Sequence, residues 1–442
     1  MNTVDIIRKK RDGGVLTREE IEHWISGTVS GAIPNYQSTA LLMAIRIRGM
    51  NDEEAAILTD AMAQSGSVFT SDDMPGFPVD KHSTGGVGDT TTLVLIPLLA
   101  AAGLTIGKLS GRALGHTGGT IDKLESIPGF RTDLSRTAFL EQVNRTGFAL
   151  ADHTEDMVPA DRILYELRDV TATVDSLPLI VASIMSKKIA GGAQGIVIDV
   201  KTGAGAFLPE LEASRELANA LVAIGTKLGR KMAAVITDMS QPLGRMVGNA
   251  LEVCEAIDTL RGNGPEDLAT LCCELGAELL LFARKAKDRD GAIAQLNERL
   301  HDGSAFEKLH ELVHNQGGNV AALDDPSSLL PRAARRVEAR AESAGTVSAL
   351  DALAIGRAAN LLGAGRQTAE DDIDPAVGIE VVKKIGDAVA ESEILAILHV
   401  NDEGALDTAC AMVESAYEID ASGAPHAPPP LIIERILGDR EG

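Results

Sequence analysis

Two glycine-rich stretches in the first third of the chain combine hydroxyl groups with cations. Residues 81–92 read Lys-His-Ser-Thr-Gly-Gly-Val-Gly-Asp-Thr-Thr-Thr, and residues 108–120 read Lys-Leu-Ser-Gly-Arg-Ala-Leu-Gly-His-Thr-Gly-Gly-Thr. Glycine lets main-chain N–H groups approach a ligand closely. N–H groups, hydroxyls and a Lys or Arg side chain together form a concave anion site. One such stretch is most often an ordinary turn, but two so close together predict a phosphate site.

The apolar residues 93–102 predict a buried helix that begins directly after the first stretch. The positive end of its dipole would then face the same anion. Neither stretch fits a nucleotide motif, because no Gly-Lys-Ser/Thr follows at the Walker A spacing and the first stretch lacks G-x-G-x-x-G. We therefore expect a phosphate site and no nucleotide cofactor.

A second group of polar residues falls on two predicted helices further along the chain. Pro159 suits the first position of a helix that runs through residues 160–168. Pro178 begins the next helix, on which Ser183 and Lys187 are four residues apart and share one face. For Lys187 and Lys188, a solvated pair at the helix end is an equally good interpretation.

The elements that must position these residues alternate between helical and α/β segments. Capping boxes that begin at Thr17 and Asn51 mark helices in the first 65 residues, where we expect three helices. Later, a strand over residues 195–200, a helix over 208–228 and a strand over 232–237 predict a parallel sheet. Such a sheet binds ligands at the carboxyl ends of its strands.

The predicted fold has two lobes, one α and one α/β. A small discontinuous all-helical domain is hinged to a large α/β domain with a mostly parallel central sheet, and a C-terminal α+β subdomain follows. The expected limits are 1–66 for the first helical part, 67–156 for the first α/β part, 157–192 for the second helical part, 193–330 for the second α/β part and 331–442 for the C-terminal subdomain.

The composition excludes several classes of function. The net charge of −23 opposes binding to nucleic acid or to an anionic membrane, and no apolar run reaches the roughly 18 residues that span a bilayer. The first residues lack the apolar core of a signal peptide, so we expect a cytoplasmic protein. The four cysteines include no C-x-x-C pair and are expected to be reduced. A small anionic substrate would need a local basic pocket, which Lys81, Lys108 and Arg112 would supply.

Residues 310–314 fit the H-E-x-x-H zinc motif, with His310 and His314 on one helical face. Val320 stands where the third histidine of a metzincin is expected, although Glu338 or Glu342 remains open as an acidic ligand. Two unassisted histidines do not complete a tetrahedral site. We interpret the match as chance and expect no zinc.

Residues 110–125, Ser-Gly-Arg-Ala-Leu-Gly-His-Thr-Gly-Gly-Thr-Ile-Asp-Lys-Leu-Glu, match the signature of the thymidine and pyrimidine-nucleoside phosphorylases along their whole length. The chain resembles this family nearly end to end, most strongly over residues 80–130, 159–207 and 237–255. The resemblance implies a homodimer with active sites between the lobes. It also implies a phosphate group held by Lys81, His82, Ser83, Thr92, Lys108, Leu109, Ser110 and Thr120. The base would be held by Tyr165, Arg168, Ser183 and Lys187.

In the uridine-accepting branch of this family, a potassium ion is held by residues equivalent to five in this chain: Gly88, Thr90, Leu243, Met246 and Glu255. Main-chain carbonyls and one carboxylate suit a hard monovalent cation, and Met246 departs from the family only in its side chain. The alternative is a plain helix cap at Asn249 with Glu255 exposed. Residues 150–154 also depart from the family, which often has a smaller Gly-Gln-Thr segment there.

The implied function is reversible phosphorolysis of uridine, thymidine and deoxyuridine, giving the free pyrimidine and (deoxy)ribose 1-phosphate. Arg168 and Lys187 would stabilise charge on the departing base, and His82, with a neutral-range pKa, is the candidate proton donor. A thymidine-specific phosphorylase remains open. An anthranilate-type phosphoribosyltransferase, which would use magnesium, and a non-catalytic nucleoside-binding protein fit the residues less well.

Overall fold

The computed structural model of the chain describes residues 1–112, 115, 118–154, 156–366, 371–422 and 424–438. Part of the 110–125 signature therefore lies outside the described residues. The chain begins with four helices: α1 (Thr3–Arg11), α2 (Arg18–Val29), α3 (Asn35–Arg48) and α4 (Asp52–Ala63).

Both predicted capping boxes are present at the starts of α2 and α4. In each, the capping side chain accepts from the third helical N–H, and a glutamate accepts from the capping residue's own N–H. The expectation of three helices was wrong, because α1 also forms. Asn2 caps α1, and four basic residues lie in its last turn, where they favour the negative end of the dipole.

The next segment alternates between strands and helices: β1 (Val79–Ser83), α5 (Thr91–Ala101), β2 (Ile106–Ser110), α6 (Thr120–Glu125), α7 (Arg136–Thr146) and β3 (Phe148–Asp152). The chain then returns to the N-terminal helices through α8 (Pro159–Asp169) and α9 (Leu177–Ala190). Helix α9 packs against α4, and α8 packs against α2 and α3. This discontinuous helical lobe is as predicted.

The central sheet contains β1, β4 (Gly195–Thr202) and β5 (Lys231–Asp238), which run parallel in the order β1-β4-β5. Helix α10 (Leu211–Lys227) connects β4 to β5. The last strand of the chain joins the open edge of β5 antiparallel, so the terminal segment completes the α/β sheet instead of packing within the C-terminal part. The mostly parallel sheet is confirmed, and β2 and β3 form a separate parallel pair.

A short strand and six helices follow: β6 (Met246–Val247), α11 (Asn249–Leu260), α12 (Glu266–Phe282), α13 (Arg289–His301), α14 (Ser304–Asn315), α15 (Ala321–Asp324) and α16 (Pro326–Leu329). The C-terminal part contains β7 (Arg335–Arg340), β8 (Gly345–Leu350), α17 (Ala352–Ala359), β9 (Gly378–Val381), β10 (Ala388–Val389), β11 (Ile394–Val400), α18 (Leu406–Ser415), β12 (Tyr417–Asp420) and the edge strand β13 (Ile432–Leu437). Strand β6 pairs with β9, which ties the α/β part to the C-terminal part. Within the described ranges, no helix is long and apolar enough to cross a membrane.

The two faces of β4 belong to two different hydrophobic cores, because successive side chains of a strand point to opposite sides. Ile196, Ile198 and Val200 pack with the helical lobe, whereas Val197 packs with α5, the later helices and the C-terminal part. The sheet therefore lies between two packed layers. The glycine-rich residues that follow β1 emerge at the boundary between these layers.

A buried ion pair stabilises the helical lobe. The Nζ of Lys10 donates to Glu54 over 2.7 Å, and the two side chains are 4% and 2% exposed. The Glu54 carboxylate also accepts from the main chain of Leu16 and of Asn51. One side chain thus caps α4 and ties α1 to it.

We expect Lys10→Met to lower the free energy of unfolding of the helical lobe by about 3–5 kcal/mol, because it leaves a buried carboxylate without its counter-ion. The fluorescence of Trp24, the single tryptophan, buried in α2, reports urea unfolding of this lobe. Lys9→Met is the matched control: its pair with Glu20 is 35% and 18% exposed, so a loss of about 1 kcal/mol or less is expected. Equal losses in the two variants would contradict this account.

Candidate active site

A cleft of about 520 Å³ opens beyond the carboxyl end of β1, between the helical lobe and the α/β lobe. The two predicted groups of site residues face it from opposite sides. Gly85 and Gly88 of the first stretch adopt φ values of +97° and +67°, a region that favours glycine. The turn that follows β1 therefore depends on these two residues.

The α/β side of the cleft carries most of the predicted phosphate residues. The ones that line the cleft are His82, Ser83, Thr92, Lys108, Leu109, Ser110 and Thr120. They come from the end of β1, the start of α5, β2 and the start of α6. Hydroxyls and an ammonium group thus converge on one wall, which is the chemistry that an oxyanion requires.

Lys81 is the exception among the predicted phosphate residues, because it does not line the cleft. It is 1% exposed, and its Nζ donates to Thr91 Oγ1 and lies 3.8 Å from carboxylate oxygens of Asp89 and Asp199. Alternation along β1 directs Lys81 and His82 to opposite faces. Asp89 in turn accepts from Ser83 over 2.5 Å. In this structure Lys81 therefore stabilises the first glycine-rich stretch from the side that faces away from the cleft.

Two lysines at the floor of the cleft share the carboxylate of Asp80. Lys108 Nζ lies 3.2 Å from Asp80 Oδ1, and Lys188 Nζ lies 2.9 Å from Asp80 Oδ2. All three residues are at most 5% exposed, and both lysines line the cleft. The interpretation of Lys188 as a solvated residue was wrong. Burial, only partly offset by the charge of Asp80, lowers the pKa of Lys108 to about 7.

His82 lies on the same wall, but its charge state differs from the expected one. Burial and the nearby charges of Lys188 and Lys108 hold the pKa of His82 well below its usual value. The expectation of a neutral-range pKa was therefore wrong. The imidazole is neutral near pH 7, because burial disfavours its charged form and four nearby lysines add to that effect.

Arg112 lines the cleft, but its charge is already matched. The guanidinium binds Glu125 through two bonds of 2.7 and 2.8 Å and approaches Asp122 at 3.1 Å. The net positive charge of the floor therefore comes from Lys108, as expected, and from Lys188, which share one carboxylate. Lys81 and Arg112, which were also expected to contribute, are paired with other carboxylates.

The helical side of the cleft carries the four predicted base residues, Tyr165, Arg168, Ser183 and Lys187. The Arg168 guanidinium donates to the carbonyls of Thr173, Leu179 and Val174 and lies 5.8 Å from the Tyr165 ring centroid. Lys187 Nζ lies 3.2 Å from Ser183 Oγ. Helices α8 and α9 thus present a fixed cation and a hydroxyl–ammonium pair to the cleft.

Sequence reasoning missed three residues that position this site. Asp80 is a carboxylate inside a buried strand, and a buried carboxylate requires a charged partner. Its position in the apolar strand was the sequence signal that could have identified it. Asp161, in the first turn of α8, forms an ion pair with Lys187 and is only 5% exposed. His153 lines the cleft next to Ser110, and burial with the charges of Lys188 and Lys187 lowers its pKa to about 3.

The predicted potassium ligands meet behind the first glycine stretch. A Cβ on Gly88 would lie 2.5 Å from the Leu243 carbonyl oxygen and 3.1 Å from that of Met246, so both carbonyls face this glycine. Glu255 completes the group: it is buried rather than exposed, and its Oε2 has no hydrogen-bond partner. Burial raises the pKa of Glu255 to about 8.

This donor set fits a monovalent cation, because two carbonyls and a buried carboxylate oxygen without a hydrogen-bond partner lie beside one short loop. The hydroxyl of Thr90 does not join this donor set, because it donates to Glu252 over 2.9 Å. The H-E-x-x-H residues form part of α14, and the described part of the chain holds no group of three or more His, Cys, Asp or Glu suited to a metal.

Comparisons with known proteins agree with this architecture. The family model "Glycosyl transferase family, a/b domain" matches residues 76–306, and "Glycosyl transferase family, helical bundle domain" matches residues 4–66. The fold and the cleft thus define a glycosyltransferase enzyme with a helical and an α/β part. A third model, "Pyrimidine nucleoside phosphorylase C-terminal domain", matches residues 346–420.

Curated relatives are similar along the whole chain. A pyrimidine-nucleoside phosphorylase of Staphylococcus haemolyticus is 52% identical over 437 residues, which cover 99% of this chain and 100% of the relative. A pyrimidine-nucleoside phosphorylase of Geobacillus stearothermophilus is 51% identical over 436 residues, with the same coverage. The chain belongs to the pyrimidine-nucleoside phosphorylase family, as its signature predicted.

Among solved structures, an anthranilate phosphoribosyltransferase from Thermus thermophilus has a similar fold. The TM-score is 0.59 at 20% sequence identity, and the match covers 72% of this chain and 99% of that one. At this identity the likeness concerns the fold alone. It confirms the two-lobe architecture of helical and α/β parts.

The pKa of Lys108 predicts how anion binding changes with pH. A lysine with a pKa of about 7 is charged below that pH and neutral above it, so sulfate affinity should fall by up to about tenfold per pH unit above 7. Sulfate is the suitable probe because, unlike phosphate, it does not titrate in this range. Calorimetric titration between pH 6 and 8.5 measures the effect.

Lys108→Met is the control for this prediction. The variant should bind sulfate more weakly at pH 6, and between pH 7 and 8.5 its affinity should fall less steeply than that of the unmodified protein, since the ammonium group that loses its charge near pH 7 is gone. If the variant keeps the slope of the unmodified protein, another group carries the pH dependence, and the assignment to Lys108 is wrong.

Proposed function

We propose that the protein catalyses the reversible phosphorolysis of uridine, thymidine and deoxyuridine in nucleoside salvage. The observation that carries the proposal is the opposition of two walls across one cleft. One wall groups hydroxyls with Lys108 and suits phosphate, and the other presents Arg168, Ser183 and Lys187 and suits a pyrimidine. The names of the full-length relatives support the same reaction.

In this reaction a phosphate oxygen forms a bond to the anomeric carbon of the sugar while the bond from that carbon to the pyrimidine nitrogen breaks. The electron pair of the broken bond goes to the base, so negative charge develops on the ring. Arg168 and Lys187, on the wall that faces the base, stabilise this charge where it appears. Ser83, Thr92, Ser110 and Thr120 orient the phosphate on the opposite wall.

His82 is proposed to protonate the departing base at a carbonyl oxygen. Its pKa is low because the imidazole is buried and because lysines lie near it. A phosphate dianion bound beside Lys108 would offset those charges and raise the pKa of His82. The proton donor would therefore become available only after the nucleophile has bound, which favours phosphorolysis over a reaction without phosphate.

Closure of the lobes is proposed to bring the two walls together and to exclude water, which would otherwise compete with phosphate. Helices α8 and α9 form the wall of the helical lobe, and the ends of β1 and β2 form the wall of the α/β lobe.

A potassium ion is proposed at the carbonyls of Gly88, Leu243 and Met246 and at the Glu255 carboxylate, with Thr90 contributing through its main chain. The ion would supply a fixed positive charge behind the first glycine stretch. The unpartnered Oε2 of Glu255 and its raised pKa support this assignment. A cation at that oxygen would keep the carboxylate ionised.

The protein is proposed to act as a cytoplasmic homodimer. Tyr36 and Ile47 are 74% and 69% exposed and lie eleven residues apart on α3, so three helical turns place them on one face. Val170, at the end of α8, is 79% exposed, and α8 packs against α3. An apolar surface of this kind is typical of an interface. The four free cysteines support a reducing compartment.

A direct assay tests the proposed reaction. The protein is mixed with phosphate and, separately, with uridine, thymidine and cytidine, and release of base is followed. We expect base from uridine and thymidine only when phosphate is present. Release without phosphate would indicate a hydrolase, turnover of thymidine alone would indicate the narrower phosphorylase, and no turnover would indicate a binding protein.

In the same assay, Arg168→Ala tests whether the helical wall acts on the base and the α/β wall on phosphate. Turnover should fall about 10²–10³-fold, because a charge that stabilises the departing base is lost. Phosphate affinity, measured by calorimetry, should change by less than about threefold. An equal loss of phosphate affinity would contradict these separate roles of the two walls.

The homodimer is tested by light scattering on the purified protein. Each chain has a mass of 46.3 kDa, so a particle of twice that mass is expected. Ile47→Asp should shift the particle to the single-chain mass, because a charge would replace exposed apolar surface on α3. A single-chain mass for the unmodified protein would contradict the proposal.

A further inference from the structure

Lys384 of the C-terminal part reaches into the loop that carries two of the proposed potassium ligands. Its Nζ donates to the carbonyls of Pro242 and Gly244, over 2.9 Å in each case. It also lies 2.5 Å from Asp267 Oδ2, which accepts from the Gly244 N–H over 3.2 Å. One ammonium group and its carboxylate partner thus hold both sides of Leu243.

These bonds determine where the Leu243 carbonyl points. The carbonyls of Pro242 and Gly244 are both directed to Lys384, while that of Leu243, between them, is directed to Gly88. Peptide planes are rigid, so fixing the two flanking planes fixes the turn. The Leu243 N–H is also held, by the Val87 carbonyl at 3.0 Å.

The remaining half of the loop is tied to the same side of the molecule. The Val381 N–H donates to the Arg245 carbonyl over 2.7 Å, and Arg245 Nη1 donates to the Val382 carbonyl over 2.5 Å. The N–H groups of Arg245 and Met246 point the other way, to Glu255 Oε1. The loop therefore lies between the C-terminal part and the proposed cation.

We propose that Lys384 is a positioning residue for the potassium site, through which the C-terminal part sets the affinity of the α/β lobe for the cation. This inference rests on the potassium site proposed above. Lys384 does not ligate the ion; it holds the carbonyls that flank a ligand. Partners that orient the ligands of a metal typically change its affinity 10- to 100-fold when they are removed.

The test measures the rise in Tm with potassium concentration, at constant ionic strength maintained with tetramethylammonium chloride. A ligand that binds only the folded state stabilises it by RT ln(1 + [L]/Kd), so the dependence of Tm on potassium concentration yields Kd, the midpoint of binding. For the unmodified protein we expect a potassium-dependent rise. In Lys384→Met the midpoint of binding should move to at least tenfold higher potassium.

Lys383→Met is the matched control, since it removes the same charge one residue earlier. Lys383 Nζ contacts the Ala388 carbonyl and Glu393, both within the C-terminal part, so its midpoint should equal that of the unmodified protein. If Lys384→Met does not fold, Lys384→Gln replaces it, because the amide keeps one donor for a carbonyl. A smaller shift in the same direction is then expected.

The possible results distinguish a wrong role for Lys384 from a wrong potassium site. An unchanged midpoint in the Lys384 variants, with a potassium-dependent Tm in the unmodified protein, overturns the inference and leaves the potassium site standing. An equal shift in Lys383→Met also overturns it, since net charge would then be the cause. No potassium effect on the unmodified protein overturns both, and the phosphorolysis assay is independent of either result.

Discussion

The carboxylate of Asp80 is the contact on which the arrangement of the cleft depends. One of its oxygens faces Lys108 on β2 of the α/β lobe and the other faces Lys188 on α9 of the helical lobe. A buried carboxylate that lost either partner would be strongly destabilised. The two ammonium groups are therefore held at the junction of the lobes, where they give the floor of the cleft a net positive charge.

A second buried network lies beneath the first glycine stretch and explains how a chain with a net charge of −23 keeps an anion site. Asp89 is held by Lys81, Ser83 and Thr91, and these contacts keep its pKa well below the usual value. Lys123 donates to the Asp89 carbonyl over 2.9 Å and pairs with Glu252. The carboxylates near the loop are thus neutralised internally, and their charge does not oppose an oxyanion in the cleft.

The spacing of residues predicted the lobes and the two groups of polar residues, because both have local signals. The full set of residues for each wall came from the family resemblance, and it included Lys81, which does not line the cleft. Capping boxes, an apolar helix after glycines, and polar residues four apart on α9 all depend on spacing along the chain. What it did not predict depends on tertiary contacts. The low pKa of His82 arises from its burial and from lysines on three different elements, and the burial of Lys188 requires Asp80 from a distant strand. Strand alternation could have indicated that Lys81 and His82 point to opposite faces, but not which of them faces the cleft.

The most direct test of the account is a crystal structure of the protein with inorganic phosphate and uracil bound together. We predict phosphate against Ser83, Lys108, Ser110 and Thr120, and the pyrimidine ring against Arg168, Ser183 and Lys187, with the two ligands on opposite walls of one cleft. Glycine turns without phosphate, or a base bound on the α/β wall, would contradict the claim that each lobe holds one of the two reactants.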